Sequence, residues 1–274
     1  AGKHVYCAKP IAVDVPGCAS IEAAGRKATS KKLVFLVDFQ TRANEFYREA
    51  AKRIHRGDMG RLVCGVAGYP CGVIGLEAPA TSEDRLRKWY CTKAISGDFI
   101  VEQSIHSLDV TTWMINAAPI AAMGRGGSKG LRRYGDIYDH FTLVYEFPDN
   151  VAVSFHCEQM CHGSPNEIMC RIYGANGTFD SDYLTHVWIH SPDKGYAGGE
   201  FKDLYDSGTI VNIKEFHEAI TGGRYDNETV SQSVRSNLTA ILGREAAYAR
   251  KRLTWEALMA STQRLEPDLS GLKS

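Results

Sequence analysis

The stretch from residue 141 to residue 190 limits the possible folds most. Phe141–Phe147 and Val151–Phe155 are apolar, β-branched runs separated by Pro148-Asp149-Asn150, and Ile168–Tyr173 and Thr178–Phe179 flank Gly174-Ala175-Asn176-Gly177. His186–His190 follows as one more such run. Short runs of this kind, punctuated by turn residues, read as successive antiparallel strands. Together with the long apolar run Leu62–Tyr69 they predict one broad sheet with a face to be covered. Helices expected at about 210–221 and 230–253 supply the cover. In the second, Ile241, Ala246 and Ala249 are apolar positions, while Arg244, Arg250 and Lys251 fall outside or at its end.

The first forty residues have a different texture. Val5-Tyr6-Cys7 reads as a strand, residues 15–29 as an Ala-rich helix capped by Asp14 with Pro16 in its first turn, and Leu33–Phe39 as a buried strand. Strand, helix, strand is the tail of a parallel α/β layer. The start, Ala1-Gly2-Lys3-His4, lacks an initiator Met and is not a signal peptide, so the chain is expected to begin inside such a layer. A further helix is expected at 43–55, with basic residues at its C-terminal end.

The 274 residues carry 32 basic and 32 acidic side chains, so no global field favours nucleic acid or an anionic membrane. No run approaches the roughly 20 apolar residues needed to cross a bilayer. The eight cysteines follow no regular framework and are expected to be reduced and buried. His156-Cys157-Glu158 and Cys161-His162 are not expected to hold zinc. No second pair lies at finger spacing, and neighbours on a strand point to opposite faces. The sequons at Asn176, Asn227 and Asn237 have meaning only in a glycosylating compartment.

Chemistry-bearing residues concentrate in Gly97–Ile115, most of which reads as an amphipathic helix. Glu102, His106 and Asp109 are spaced by four and three, which places them on one helical face. A carboxylate one turn from an imidazole fixes its tautomer and raises its basicity, as a general base requires. The same pair also occurs as an ordinary surface contact, so it does not define a site alone. Gly124–Gly130 is the one glycine-dense segment; Lys129 breaks the Gly-x-Gly-x-x-Gly pattern, and the segment reads as a flexible strand connection.

Three motifs, in order along nearly the whole chain, resemble one family. Gly2-Lys3-His4-Val5-Tyr6-Cys7-Ala8-Lys9-Pro10 is similar to the Gly-Lys-His-Val-x-Cys-Glu-Lys-Pro stretch of the glucose–fructose oxidoreductase / inositol dehydrogenase / rhizopine-catabolism (Gfo/Idh/MocA) family. Phe39-Gln40-Thr41-Arg42 resembles its strand-end Phe-x-x-Arg, and Glu102–Asp109 its Asp-x-x-x-His-x-x-Asp signature. The resemblance implies an α/β (α+β) fold: residues 1–40 as the remnant of a parallel Rossmann layer, and residues 41–274 as a substrate and oligomerisation domain. That domain would be a large, mostly antiparallel open sheet covered by helices on one face.

The resemblance also implies roles. Lys9 would contact both the nicotinamide and the reacting hydroxyl, with Pro10 and Gln40 beside the cofactor. His106 would be catalytic and Glu102 its acidic partner. Arg42 and Asp109 would lie near the substrate, and Tyr69, Arg87 and Trp89 could line a sugar pocket, since aromatic and planar cationic groups suit polyhydroxylated rings. No metal is implied. Three departures stand out. Ala8 replaces a Glu, Glu102 replaces an Asp, and the glycine loop with its ribose-binding acid is absent. NAD or NADP affinity rests on that loop, so this chain alone is expected to bind the cofactor poorly or not at all.

The leading expectation is hydride transfer between a nicotinamide and a sugar, sugar acid or cyclitol. One alternative is a cofactor-independent lyase, hydratase or epimerase that moves protons with Lys9, Glu102 and His106, with or without a divalent metal held by Glu102, His106 and His140 or His156. Another is a non-catalytic sugar-binding or scaffold subunit. A homodimer or homotetramer and a cytoplasmic location are expected, with no nucleic-acid or membrane partner.

Overall fold

The structure, a computed structural model, describes residues 2–75, 77–129, 134–160, 166–201 and 204–272. The chain opens with β1 (Val5–Ala8), α1 (Val15–Ser30) and β2 (Phe35–Asp38), and β1 and β2 pair in parallel from Val5↔Phe35 to Ala8↔Asp38. Asp14 caps α1 as its position suggested, with Oδ1 accepting from the Gly17 amide at 2.7 Å. After β2 come a single turn, α2 (Gln40–Ala43), and α3 (Glu45–His55). Between them Asn44 is extended, and its side chain accepts from the Phe46 and Tyr47 amides.

Next are β3 (Leu62–Gly72) and a helical stretch: α4 (Ser82–Arg87), a 3₁₀ turn (Trp89–Cys91), α5 (Lys93–Ser96), α6 (Phe99–Glu102) and α7 (Ile105–Ile115). Seven strands follow: β4 (Ala121–Gly127), β5 (His140–Phe147), β6 (Val151–Met160), β7 (Met169–Gly174), β8 (Gly177–Asp182), β9 (His186–His190) and β10 (Tyr196–Glu200). α8 (Leu204–Gly222), α9 (Glu228–Ala249), β11 (Leu253–Thr254) and α10 (Trp255–Met259) complete the chain.

A nine-stranded sheet runs in the order β10-β9-β8-β7-β3-β6-β5-β4-β11. Only β3 and β6 pair in parallel; every other neighbouring pair is antiparallel. The fold is therefore the mixed α/β class expected, with a small parallel layer and a large, mostly antiparallel sheet. Alternation decides which face is covered. On β5 and β6, Phe141, Leu143, Tyr145, Phe147, Val151, Val153, Phe155 and Cys157 are buried beneath helices. On the other face Val66 and Met123 remain 41% and 43% exposed. α9 lies between the two layers, packing on α1 and β2 on one side and on β4 and β5 on the other, so one apolar core serves both.

Two sequence expectations change here. Ala121–Gly127 is strand β4 and not a flexible connection. Its glycines permit close approach: a Cβ on Gly124, at φ +157, would meet the Thr142 carbonyl oxygen of β5 at 2.2 Å. Gly97–Ile115 is two helices and not one. α7 is also buried on nearly all sides and not amphipathic, with Ser107, Asp109, Thr111 and Thr112 inside. Cys7, Cys18, Cys64, Cys157 and Cys170 are free thiols, and Cys18, Cys71, Cys91, Cys157 and Cys170 are buried; Cys161 and His162 lie outside the described residues. Among the described residues no helix is long and apolar enough to cross a membrane.

Candidate active site

The break between α6 and α7 builds the site. Asp98 starts α6, its Oδ1 accepting from the Phe99 amide at 2.7 Å, and the helix ends one turn later. The Ser104 amide then reaches back to the Phe99 carbonyl and the His106 amide bonds the Gln103 carbonyl. The Glu102 carbonyl, which a continuous helix would use internally, instead accepts from Lys9 Nζ at 2.6 Å. Lys9 Nζ also lies 3.9 Å from Glu102 Oε1. Lys9 stands just past β1, at the C-terminal ends of the parallel strands, where open α/β sheets expose their functional groups. Two segments ninety-three residues apart thus meet through one ammonium group.

Electrostatics tie His106 to the same place. Burial holds its imidazole well below the usual histidine range, and the nearby Lys9 charge pushes it further in the same direction. Its Nδ1 is buried with no hydrogen-bond partner. Burial lowers Lys9, against the opposing pull of the Glu102 and Asp38 carboxylates. Glu102 is raised by burial and lowered by Lys9. The expected contact from Glu102 to the imidazole is replaced by the contact to Lys9, because the helix break turns Glu102 toward β1.

Expected residues and two that the sequence reading passed over, Tyr183 and Tyr205, surround this core. Rings enclose His106, with centroids at 5.1 Å for Tyr183, 6.3 Å for Tyr205 and 6.3 Å for Phe39. Tyr69, on the inner face of β3, is held protonated by burial and by its interaction with Tyr205. Gln40 belongs to the same neighbourhood, because Tyr183 Oη donates to its Oε1 at 2.9 Å. Pro10 follows Lys9 through a cis peptide bond. Tyr183 and Tyr205 lie in segments with no motif, so only the fold gathers them around the imidazole.

Arg42 and Asp109 come together as a buried ion pair. Arg42 Nε and Nη2 donate to Asp109 at 2.8–3.1 Å, Ser236 Oγ donates to the same carboxylate at 2.6 Å, and Arg42 lies over the Trp113 ring. With Asp109 fully buried, the pair braces α7 against α2 and α9. Among the described residues, no hydrogen bond, ion pair or ring contact joins Arg87 or Trp89 to Lys9, Glu102 or His106. The metal-bearing variant of the proton-transfer alternative does not assemble. His156 bonds Thr142 and Glu158 on the open sheet face, and His140 bonds Asp139, while α6 and α7 lie under the covered face. Among the described residues no group of three or more His, Cys, Asp or Glu is placed to hold a metal ion.

Comparison with known proteins agrees with this fold. Residues 47–180 match the GFO/IDH/MocA C-terminal domain. The chain is 23% identical over 242 residues to an inositol 2-dehydrogenase of Azotobacter vinelandii, covering 88% of this chain and 66% of that protein. It is 23% identical over 233 residues to a scyllo-inositol 2-dehydrogenase (NAD(+)) of Bacillus subtilis, covering 81% of this chain and 62% of that one. The chain thus spans less than two thirds of the length of these relatives. Among solved structures, a levoglucosan dehydrogenase in complex with NADH and L-sorbose superposes with a TM-score of 0.75 at 17% identity, covering 95% of this chain and 75% of the other. An aldose-aldose oxidoreductase from Caulobacter crescentus, complexed with glycerol, gives 0.72 at 18% identity, covering 92% and 72%. The domain match over residues 47–180, these relatives and the shared fold all support the resemblance to the Gfo/Idh/MocA family.

Proposed function

We propose that this chain carries the substrate-handling site of an oxidoreductase acting on a sugar, sugar acid or cyclitol, with Lys9 and His106 managing the proton of the reacting hydroxyl. The observation that carries this reading is the convergence of Lys9, Glu102 and His106 at the ends of the parallel strands. A neutral imidazole with a free nitrogen accepts a proton, and an ammonium beside it stabilises the alkoxide left behind. Glu102 orients Lys9 through both its carbonyl and its carboxylate. Tyr69, Tyr183 and Tyr205 offer apolar faces to a sugar ring and hydroxyls to its edge.

NAD(P), when bound, supplies the hydride acceptor. The orphaned His106 Nδ1 fits a site completed by an added polar partner. Lys9, Pro10 and Gln40 lie at the strand ends that a nicotinamide would face. The described residues show no glycine loop at a helix N-terminus to cradle its phosphates, so the fit is confined to the nicotinamide end. Residues 1–40 as a nucleotide-side layer and 41–274 as the substrate side is the division that goes with this reading. The uncovered sheet face, where Val66 lies in register with Arg171, Asp180 and Trp188 on one side and Ser154, Val144 and Met123 on the other, is the self-association surface.

The test is direct. The complete product of the gene, assayed with NAD⁺ and NADP⁺ against inositols, aldoses and sugar acids, is expected to reduce the nucleotide with at least one of them. Lys9→Ala is expected to lower turnover about a hundredfold or more. Full turnover in that variant would remove the proposed role. The 274-residue chain by itself is expected to quench NADH fluorescence only weakly.

A further inference from the structure

One face of α9 grips both stretches that meet at the site. Asn237, Arg244 and Tyr248 are spaced by seven and four, so they stack on one side of the helix. Asn237, fully buried, accepts the Ile11 amide on Oδ1 at 3.2 Å and donates through Nδ2 to the Ala12 carbonyl at 2.8 Å, which holds the stretch that follows Lys9. Tyr248 Oη donates to the Asp98 carboxylate at 2.8 Å, at the start of α6. Arg244 lies between them and reaches both stretches. Its Nη1 donates to the Val13 carbonyl and to the Gly97 carbonyl, each at 2.8 Å. Val13 comes four residues after Lys9, and Gly97 five before Glu102. The sequence pattern puts Arg244 outside its helix, yet it is 2% exposed. A buried guanidinium is costly unless its charge and its donors are matched. Glu245 matches the charge, its Oε1 accepting from Nε at 2.9 Å and lying 2.8 Å from Nη2. Both hydrogens of Nη1 are left for the two carbonyls. They diverge in a rigid plane, so this nitrogen holds the carbonyls at a defined separation, as a flexible ammonium would not.

We propose that Arg244 is a positioning residue for the Lys9–Glu102 contact: one guanidinium nitrogen ties the stretch after Lys9 to the stretch before α6, and so sets where the ammonium meets the Glu102 carbonyl. Of the three α9 side chains it alone bonds both stretches, since Asn237 bonds the first and Tyr248 the second. Without it the Val13 and Gly97 carbonyls lose their shared donor and must find water, which moves the two stretches apart. Arg244 acts through Lys9 and Glu102 and need not touch substrate.

This inference rests on Lys9 and Glu102 belonging to the working site, but its test reads Lys9 without turnover. The complete product of the gene, labelled with lysine carrying ¹³C at Cε and free of nucleotide, is titrated by NMR; the Lys9 signal is the one lost in Lys9→Arg. Burial holds Lys9 below the ordinary lysine value of 10.5 while it sits against Glu102. In Arg244→Met the stretches part and water reaches the ammonium, so the Lys9 midpoint is expected to rise toward that value by about half a unit or more. Gly243→Ala, on the same helix, is the control. It crowds Tyr145 and spares every bond of Arg244, so its Lys9 midpoint is expected to match wild type. A midpoint unmoved in folded Arg244→Met, or moved equally in Gly243→Ala, overturns the proposal. If Arg244→Met does not fold, Arg244→Lys keeps the charge without the planar fork and is read in the same way, with the same two outcomes. A Lys9→Ala enzyme with full turnover overturns the functional reading instead, so the two failures are distinguishable.

Discussion

At the scale of single residues, the site depends on groups held away from their ordinary protonation. His106 is kept neutral when folded, so its folded pKa lies below the ordinary value of 6.5. Above that value its contribution to stability is fully present; as pH falls through it the unfolded chain takes up a proton that the folded chain refuses, and stability is lost. Asp98 has the opposite sign. Burial pushes it up to about 6 despite hydrogen bonds from Tyr248, Tyr138 and Phe99, so between there and the ordinary carboxyl value of 3.8 the folded chain binds the extra proton. The two are separated by comparing wild type with His106→Gln in urea unfolding at a series of pH values. The variant is expected to lose less stability on mild acidification; identical pH slopes would mean that His106 is not held neutral. His106 was legible in the sequence from its spacing to acidic neighbours. Its true companions were not, because a ring stacked in space leaves no interval in the chain.

At the scale of elements, buried polar pairs and close approach fix how helices sit. The Arg42–Asp109 pair joins α2 to α7 and is sealed by Ser236 of α9. Removing one charge strands the other in the core, so Asp109→Leu is expected to cost about 3–5 kcal/mol in urea unfolding, and Arg42→Leu with it to recover part of that. α9 meets the sheet at Gly243, where an added Cβ would lie 1.9 Å from Tyr145 Oη. Gly243→Ala gains helix propensity of about 1 kcal/mol but is expected to lose about 1–3 kcal/mol net through overpacking. Tyr145→Phe removes the clashing hydroxyl, which has no partner of its own, and is expected to relieve the loss. Thermal melts of the two variants and their combination check this. The hairpins were visible because turn residues and alternation are local signals. The α6–α7 break was not, because Gln103 departs from the helix toward Gln159 on β6, a partner remote in sequence.

At the scale of the whole molecule, one face of the nine-stranded sheet is covered by helices, and on the other Val66 and Met123 are exposed. The open face mixes Val66, Val144 and Met123 with Arg171, Asp180 and Trp188, a surface suited to a second copy of the chain. On the proposed reading, light scattering is expected to give an oligomer for the wild type and a monomer once Val66 and Met123 are replaced by lysine, with the melting temperature lowered by no more than about 5 °C. An unchanged mass would mean that assembly uses another surface.

The order of elements, the parallel start, the antiparallel sheet and the residues Lys9 and His106 were written in the chain, because periodicity, turn chemistry and short motifs are properties of neighbours along it. The tertiary structure decided the rest: that Glu102 turns to Lys9, that Arg42 and Asp109 brace the core, and that Tyr183 and Tyr205 pack against His106. Burial and electrostatic fields act through space, and which groups share a low-dielectric volume is settled only when the layers close on each other.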